Sequence, residues 1–404
     1  LSLFSSPKIQ FENTILFTRN KNKNSIPIIS KREKINLAYF SADFCEHAVS
    51  NQLSQILKLH DKNKFNTIGF YLGNKKDTRL SEVKNSFDKF INVFQKSTNE
   101  ISKLTKSHNV DIAVDLMGFT KGNKYEIFRS RCAPIQVSYL GFPGTTGLSN
   151  MDYLIADQNV ILDNFRKFYS EKIIYMPNSY MPNSDYINIS KKNYSRKDHG
   201  LPGNCVVYCC FNKHYKITPK MFDIWIDVLS NVENSILWLN NAEEQTKENL
   251  LQYSRKNGLD PKRVFFTRRS KIYSDYLSKH QLADIFLDTS PYSAHSTGCG
   301  SLMAGVPIIT LKGQSFTNNV CSSLLRALKM DELITKDFVD YKNKAIELGN
   351  NPEKLLKIKK ILKNKKIEES LFNSKIYTQN LEKAFKQIYE MKINNQDNKD
   401  IRIV

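Results

Sequence analysis

The sequence has no Cys-x-x-Cys pair. Its seven cysteines, Cys45, Cys132, Cys205, Cys209, Cys210, Cys299 and Cys321, follow no regular spacing. That argues against both a zinc site and a disulfide-stapled scaffold. Cys209 and Cys210 fall inside an apolar run and read as small core residues, so a reducing cytoplasm is the expected setting. No Asp-x-Asp pair occurs either; the usual carboxylate clamp for a metal-held diphosphate is missing, and no metal or other cofactor is expected. No apolar run is long enough to cross a membrane. The opening residues, Leu1-Ser-Leu-Phe-Ser-Ser-Pro7, lack the basic start of a secretory signal. No internal repeat is visible. A chain that opens on Leu1 instead of Met reads as a fragment of something longer.

What is present is enough for two cores: 404 residues, of which 40% are hydrophobic and 11% aromatic. The net charge of +20 invites a polyanion. Yet the lysines are spread along the chain, and the Lys-rich stretch 353–367 carries no interleaved aromatic platform for bases. The charge therefore reads as a solvated surface, with some share in holding nucleotide phosphates, and no specific nucleic-acid partner is expected. A basic nucleic-acid binder stays as the reading that charge alone would motivate.

Along the chain, residues 1–33 read as an extension or linker, with a short strand at Thr14–Phe17. Apolar runs at 35–40, 67–72, 90–94, 110–117, 135–140, 153–156 and 172–176 alternate with helical patterns after His47, with Leu53, Ile56 and Leu57 on one face, and near 80–88, 99–108 and 124–130. Such alternation implies a parallel sheet with right-handed crossovers, placing an N-terminal Rossmann-like domain at 34–190. Residues 177–204, with Pro177, Pro182, Pro202 and Gly203, read as the linker. A second alternating set, 200–340, opens at Val206-Val-Tyr-Cys-Cys-Phe211. Its helix 219–228 carries Met221, Phe222, Trp225, Val228 and Leu229 on one face. Residues 341–404 read as C-terminal helices, whose apolar stripe Tyr377, Leu381, Ala384, Phe385 and Ile388 must pack on something, the first domain being a candidate.

The most telling stretch is 281–310. Ile285-Phe-Leu287 reads as a buried strand, Pro291 and small polar residues as a loop, and His295-Ser-Thr-Gly298 as the mouth of a short helix closed by Gly305 and Pro307. Free N–H groups and the positive end of a helix dipole favour an anion such as a diphosphate; an ordinary cap made by Ser296 or Thr297 competes with that reading. Polar clusters at 43–47, 118–122, 141–147, 212–216 and 295–298 all follow strands, where ligands of doubly wound sheets bind. Capping alone explains five such clusters poorly.

Together, Ser41-Ala-Asp-Phe-Cys-Glu-His47, Asp115-Leu-Met-Gly-Phe-Thr-Lys-Gly122, Ala133-Pro-Ile-Gln-Val-Ser-Tyr-Leu-Gly-Phe-Pro-Gly-Thr-Thr-Gly147, Phe211-Asn-Lys-His-Tyr-Lys-Ile217 and the 281–307 stretch resemble the catalytic region of the protein O-GlcNAc transferase / SPINDLY family, over about residues 34–390. The resemblance implies an α/β fold of the GT-B type: two doubly wound Rossmann-like domains facing across a cleft, with a C-terminal helical tail. It also implies a UDP-sugar donor, a protein or peptide acceptor, and tetratricopeptide repeats outside this chain. Carried over by position, Lys216 neutralises the leaving diphosphate. His295, Ser296 and Thr297 bind the pyrophosphate at the helix mouth, Tyr276 packs on the uracil, and Lys279 is the basic residue at the nucleotide. Leu140, Gly141 and Pro143 line the sugar pocket, and His47 is the histidine proposed as base. Three positions depart from the pattern: Lys213 stands where the animal enzymes carry a glutamine near the diphosphate, Gly300 where an acidic residue holds ribose hydroxyls, and Asn51 where a second histidine stands.

With no metal clamp, charge on a departing diphosphate has to be met by fixed cations and N–H donors, and Lys216 with the helix mouth can supply them. The implied reaction is metal-independent, inverting transfer of a sugar, GlcNAc first, from a UDP-sugar to Ser/Thr hydroxyls of proteins. Beside it stand N-glucosylation of Asn and O-fucosyl transfer from GDP-fucose, and, motivated by Gly300, a catalytically inactive nucleotide-binding scaffold. His47 is either a proton acceptor or merely the start of a helix. Asp111 and Asp115 are either cleft groups or strand-end carboxylates satisfied by backbone N–H groups.

Overall fold

The computed structural model describes residues 3–18, 26–183, 194–268 and 273–404. In chain order the helices and strands are α1 (Pro7–Thr18), β1 (Ile35–Ser41), α2 (Ala48–Leu59), β2 (Phe65–Tyr71), α3 (Thr78–Lys84), β3 (Lys89–Asn92), α4 (Thr98–Ser107), β4 (Ile112–Asp115), α5 (Glu126–Arg129), β5 (Ile135–Ser138), β6 (Tyr153–Ala156), β7 (Lys172–Tyr175), β8 (Val206–Cys210), α6 (Pro219–Ser230), β9 (Ser235–Leu239), α7 (Glu244–Lys256), β10 (Val264–Phe266), α8 (Tyr273–His280), β11 (Ile285–Leu287), α9 (Ser296–Met303), β12 (Ile308–Leu311), α10 (Phe316–Ala327), β13 (Ile334–Thr335), α11 (Phe338–Asn350), α12 (Pro352–Glu368), α13 (Ser374–Ile393) and β14 (Ile401–Arg402). The chain divides into two compact units, Leu1–Asp185 with Phe372–Val404, and Tyr186–Leu371. The division falls in the expected linker, of which residues 184–193 lie outside the described residues.

The first unit is built on a sheet of order β14-β7-β6-β5-β4-β1-β2-β3, parallel throughout. Helices cover both faces of such a sheet, so its inner strands read as continuous apolar runs. β1, whose residues are all buried apart from half-buried Asn36, is an example. Phe40 on β1 stacks on Phe70 of β2 at 4.6 Å, within a core that includes Val110, Met117 and Phe128. The chain runs outward from β1 to β3 and then returns to the other side of β1 as β4. The strand order therefore reverses between β1 and β4.

Both ends of the chain depart from the sequence expectation. The short strand expected at 14–17 is the last turn of α1. Here the apolar, β-branched cluster is overridden by local bonds: Thr14 Oγ1 donates to Phe11 O at 2.8 Å and Thr18 Oγ1 to Thr14 O at 2.8 Å. Thr18 Oγ1 also donates to Gly147 O at 3.1 Å. At the other end, the helical tail is divided: α11 and α12 belong with the second unit, α13 and β14 with the first. Leu381, Ala384, Phe385 and Ile388 of the stripe are buried. His60 links α13 to the sheet, with Nε2 2.9 Å from Tyr39 Oη and Nδ1 2.9 Å from Glu382 Oε1. β14 adds a parallel edge strand beside β7.

The second unit has the sheet order β10-β9-β8-β11-β12-β13, again parallel. The apolar face of α6 is buried as its spacing predicts, and Trp225 Nε1 donates to Tyr341 Oη at 3.2 Å. The order here reverses between β8 and β11. Each unit thus has a crevice of its own at the carboxyl ends of the strands where the order turns. Six of the seven cysteines are buried and all are free.

Candidate functional site

The loops leaving β8 and β11 flank the reversal in the second unit. After β8, a single 3-10 turn, His214–Lys216, buries Lys216 to 7% exposure. Its Nζ donates to Ser293 O at 3.0 Å and stands 3.6 Å from the centre of the Tyr292 ring. Burial lowers its pKa to about 8 although nearby Asp288 favours the charged form. Asp288 follows β11 directly, and its carboxylate is occupied locally. It accepts from Thr289 N (2.8 Å), Ala294 N (2.6 Å), Thr310 Oγ1 (2.7 Å) and Asn212 Nδ2 (3.3 Å). The acid that could neutralise Lys216 instead shapes the loop in front of α9, and the ammonium keeps donors to spare.

His295 is the N-cap residue of α9, with φ −107° and ψ −102°, and its side chain makes no capping bond. Its Nε2 lies 3.5 Å from Thr317 O. Burial, reinforced by Lys216, pushes its pKa well down, so the ring is neutral. Thr297 Oγ1 donates to Asn212 Oδ1, tying the helix mouth to the loop after β8, and Ser296 is the first helical residue. The capping reading therefore weakens at this helix: Thr297 turns to Asn212, and His295 does not cap. Lys216 and the 295–297 mouth are brought to one place, as an anion site requires.

Lys213 is exposed, its carbonyl accepting from Lys216 N at 3.0 Å. Tyr276 is half-buried, edge-on to His280 at 4.7 Å and to Phe211 at 6.2 Å, beside Tyr273 at 6.0 Å. Lys279 is buried and donates to Arg268 O at 2.7 Å; burial lowers its pKa. A side chain at Gly300 would start 2.9 Å from Leu277 Cδ2, so Leu277 occupies the space that a side chain at position 300 would enter.

In the first unit, the loops after β1 and β4 flank the reversal, and the loop after β5 is next to them. His47 is the N-cap of α2 and is exposed; its Nδ1 lies 3.4 Å from Val49 N and 3.5 Å from Asp43 Oδ2. Asn51 Nδ2 donates to Glu46 Oε1 at 3.3 Å. Leu140 takes a left-handed φ of 68°. Gly141 presses so closely on β4's end that a Cβ would lie 2.0 Å from Leu116 O. Leu140 and Gly141 are half-buried, and Pro143 is buried. Asp115 accepts from Met117 N (2.9 Å) and Gly118 N (3.1 Å), and Asp111 from Asn36 N (2.9 Å). The strand-end reading thus describes both, and burial raises each to about 6. Among the described residues, no three His, Cys, Asp or Glu side chains are grouped so as to hold a metal.

Sequence reasoning passed over Tyr292, Ser293, Asp288 and Thr317. Asp288, the first polar residue after a buried strand, carried a signal. The others are set by how the loops meet.

The sequence profile of glycosyl transferase family 41 matches residues 10–191 and 183–381. The chain belongs to this family. Relatives with curated names include the probable UDP-N-acetylglucosamine–peptide N-acetylglucosaminyltransferase SEC of Arabidopsis thaliana, 30% identical over 92% of this chain and 39% of the relative. The probable transferase SPINDLY of Solanum lycopersicum is 27% identical over 87% of this chain and 38% of its own length. The chain thus spans about two fifths of the length of these relatives. Among solved structures, a mutant O-GlcNAc transferase of Thermobaculum terrenum superposes with a TM-score of 0.88 at 23% identity, covering 96% of this chain and 75% of that one. That likeness is one of fold, two parallel-sheet α/β units of the GT-B class. Among the described residues, no helix is long and apolar enough to cross a membrane.

Proposed function

We propose that this chain is the catalytic region of a metal-independent, inverting glycosyltransferase that moves a sugar, GlcNAc first, from a UDP-sugar to Ser/Thr hydroxyls of proteins. The observation that carries the reading is Lys216: a buried ammonium with no ion-pair partner among the described residues, one bond to Ser293 O, and the mouth of α9 beside it. The sugar and the peptide acceptor follow the names of the relatives, and the Ser/Thr hydroxyls follow the resemblance.

As the acceptor oxygen bonds to the anomeric carbon, the bond from that carbon to the diphosphate breaks and its electron pair goes to the phosphate oxygen. Lys216 and the first N–H groups of α9 meet that charge in a water-poor setting, where fixed donors count most. Thr297 and Asn212 hold the mouth in place, Tyr276 and Lys279 serve the nucleotide, and Lys213 the outer side of the diphosphate. Leu140, Gly141 and Pro143 face the sugar, and His47 takes the hydroxyl proton. Seven free cysteines suit a reducing cytoplasm, and tetratricopeptide repeats outside this chain are the expected partner for acceptor proteins.

The test is a donor panel (UDP-GlcNAc, UDP-glucose, GDP-fucose) incubated with Ser/Thr and Asn peptides and read by mass spectrometry, with Lys216→Ala as control. Transfer from UDP-GlcNAc to Ser/Thr that the variant loses supports the reading. Transfer undiminished in the variant, or none from any donor, defeats it.

A further inference from the structure

His47 presents its Nδ1 to two groups that want opposite things from it. The backbone N–H of Val49, 3.4 Å away, needs a lone pair there, and Asp43 Oδ2, 3.5 Å away, needs a proton there. A neutral imidazole has one lone-pair nitrogen and one N–H, so it can satisfy only one of them. The choice decides what the other nitrogen, Nε2, offers. With Nδ1 capping α2, Nε2 carries the hydrogen and cannot accept a proton. With Nδ1–H turned to Asp43, Nε2 holds a lone pair.

Asp43 is placed for this role. Its backbone N–H donates to Ser41 Oγ at 2.9 Å and its carbonyl accepts from Ser50 Oγ, so both sides of its backbone are pinned. Its carboxyl is only 21% exposed; burial raises its pKa, while His47 and Lys75 pull it back. The other charged groups nearby are engaged elsewhere. Glu46 meets Arg79 at 3.8 Å and Asn51 at 3.3 Å, and Asp77 accepts from Glu46 N at 2.9 Å. Asp43 is thus the carboxylate that faces the ring.

We propose that Asp43 is the positioning residue of His47, holding the proton on Nδ1 against the pull of the α2 cap so that the Nε2 lone pair accepts the acceptor hydroxyl's proton. The O–H bond breaks as the new C–O bond forms, the proton goes to Nε2, and the imidazolium is stabilised by Asp43. The catalytic half of this statement rests on the transferase reading; the tautomer half does not.

The deciding measurement is made on the full chain without donor. Ring-nitrogen NMR of 15N-histidine-labelled protein, with the His47 signal assigned by His47→Gln, reports which nitrogen bears hydrogen. Wild type is expected as the Nδ1–H form, and Asp43→Ala as the Nε2–H form. The isosteric Asp43→Asn serves if the alanine variant does not fold, and the other six histidines report on the fold. The same tautomer in wild type and variant overturns the proposal. In transfer assays Asp43→Asn is expected to lower kcat by about tenfold to a hundredfold with donor KM within about twofold, and Asp43→Glu to recover part of it. A flipped tautomer in a protein that transfers nothing would defeat the transferase reading and leave Asp43's hold on His47 standing.

Discussion

The two strand-order reversals hold charge in different ways. In the second unit Lys216 is buried, His295 is kept neutral, and Asp288 is spent on its own loop, so the Lys216 charge acts with little solvent to screen it. In the first unit His47 and Asp43 stand 44% and 21% exposed, with Lys75, Glu46, Asp77 and Arg79 around them. A buried charge works through its field, which is strong where the surroundings polarise little. An exposed pair is screened, so its contribution has to come from geometry, here from which ring nitrogen carries the proton. One crevice is a fixed electrostatic cradle; the other is an adjustable hydrogen-bonding edge.

The comparison breaks first at Lys216. Lys216→Ala removes the cation that contacts the Tyr292–Ser293 loop, and transfer is expected to fall by roughly 10²–10³-fold, as for loss of a donor to a developing anion. A loss below about tenfold in kcat/KM, measured at saturating acceptor, would make the second crevice no more decisive than the first.

The next largest effect concerns stability. Gly141→Ala puts a Cβ 2.0 Å from Leu116 O and 2.7 Å from Leu116 C. These are backbone atoms at the end of β4 that cannot rotate away. A loss of about 2–3 kcal/mol in urea unfolding is expected. An unchanged midpoint would mean that the β4 and β5 loops are not pressed together.

Acidity sharpens the contrast further. The protonated form of Lys216 is the one that grips a diphosphate, and burial sets its pKa at about 8 in the free protein. UDP affinity is therefore expected to fall by about tenfold from pH 7 to pH 9, following the protonated fraction. Lys216→Arg, which stays charged, should bind more weakly but with a flat profile. The same depressed pKa acts the other way on the unliganded fold. The unfolded chain binds the proton more tightly, so this group's share of stability rises with pH between about 8 and the ordinary lysine value. Calorimetry across the range separates the two.

How much of this was legible depended on whether a feature was local. β1, β8 and β11 show as apolar runs because both faces of their sheets are covered, and Lys216 and His295 show because polar residues after such strands sit at the crevice. α10 escaped because its buried face is full of Asn318, Asn319, Ser322 and Ser323. Asn318 Nδ2 donates to Pro291 O and Asn319 Oδ1 accepts from Gly313 N, contacts that no hydrophobic period announces. The strand expected in α1 failed for a related reason: threonine side chains bonded back to the helix. The Asp43–His47 opposition is written within five residues, yet which nitrogen meets which partner depends on a few tenths of an ångström.

The smallest effect is expected at Gly300. A Cβ there would meet Leu277 Cδ2 at 2.9 Å. That atom is the free end of a side chain, in contrast to the carbonyl that faces Gly141. Turning Leu277 aside costs about 1 kcal/mol, while alanine in place of glycine inside α9 returns about 0.8–1.0 kcal/mol through helix propensity. The two nearly cancel, so Gly300→Ala should leave the unfolding midpoint within about 0.5 kcal/mol of wild type and UDP affinity within about twofold. A large loss of stability would show that Leu277 is locked, making Gly300 a packing requirement of this chain. A large loss of affinity with stability intact would show instead that the bare backbone at 300 is what the nucleotide meets, and the second crevice would then owe part of its grip to the missing side chain as well as to Lys216.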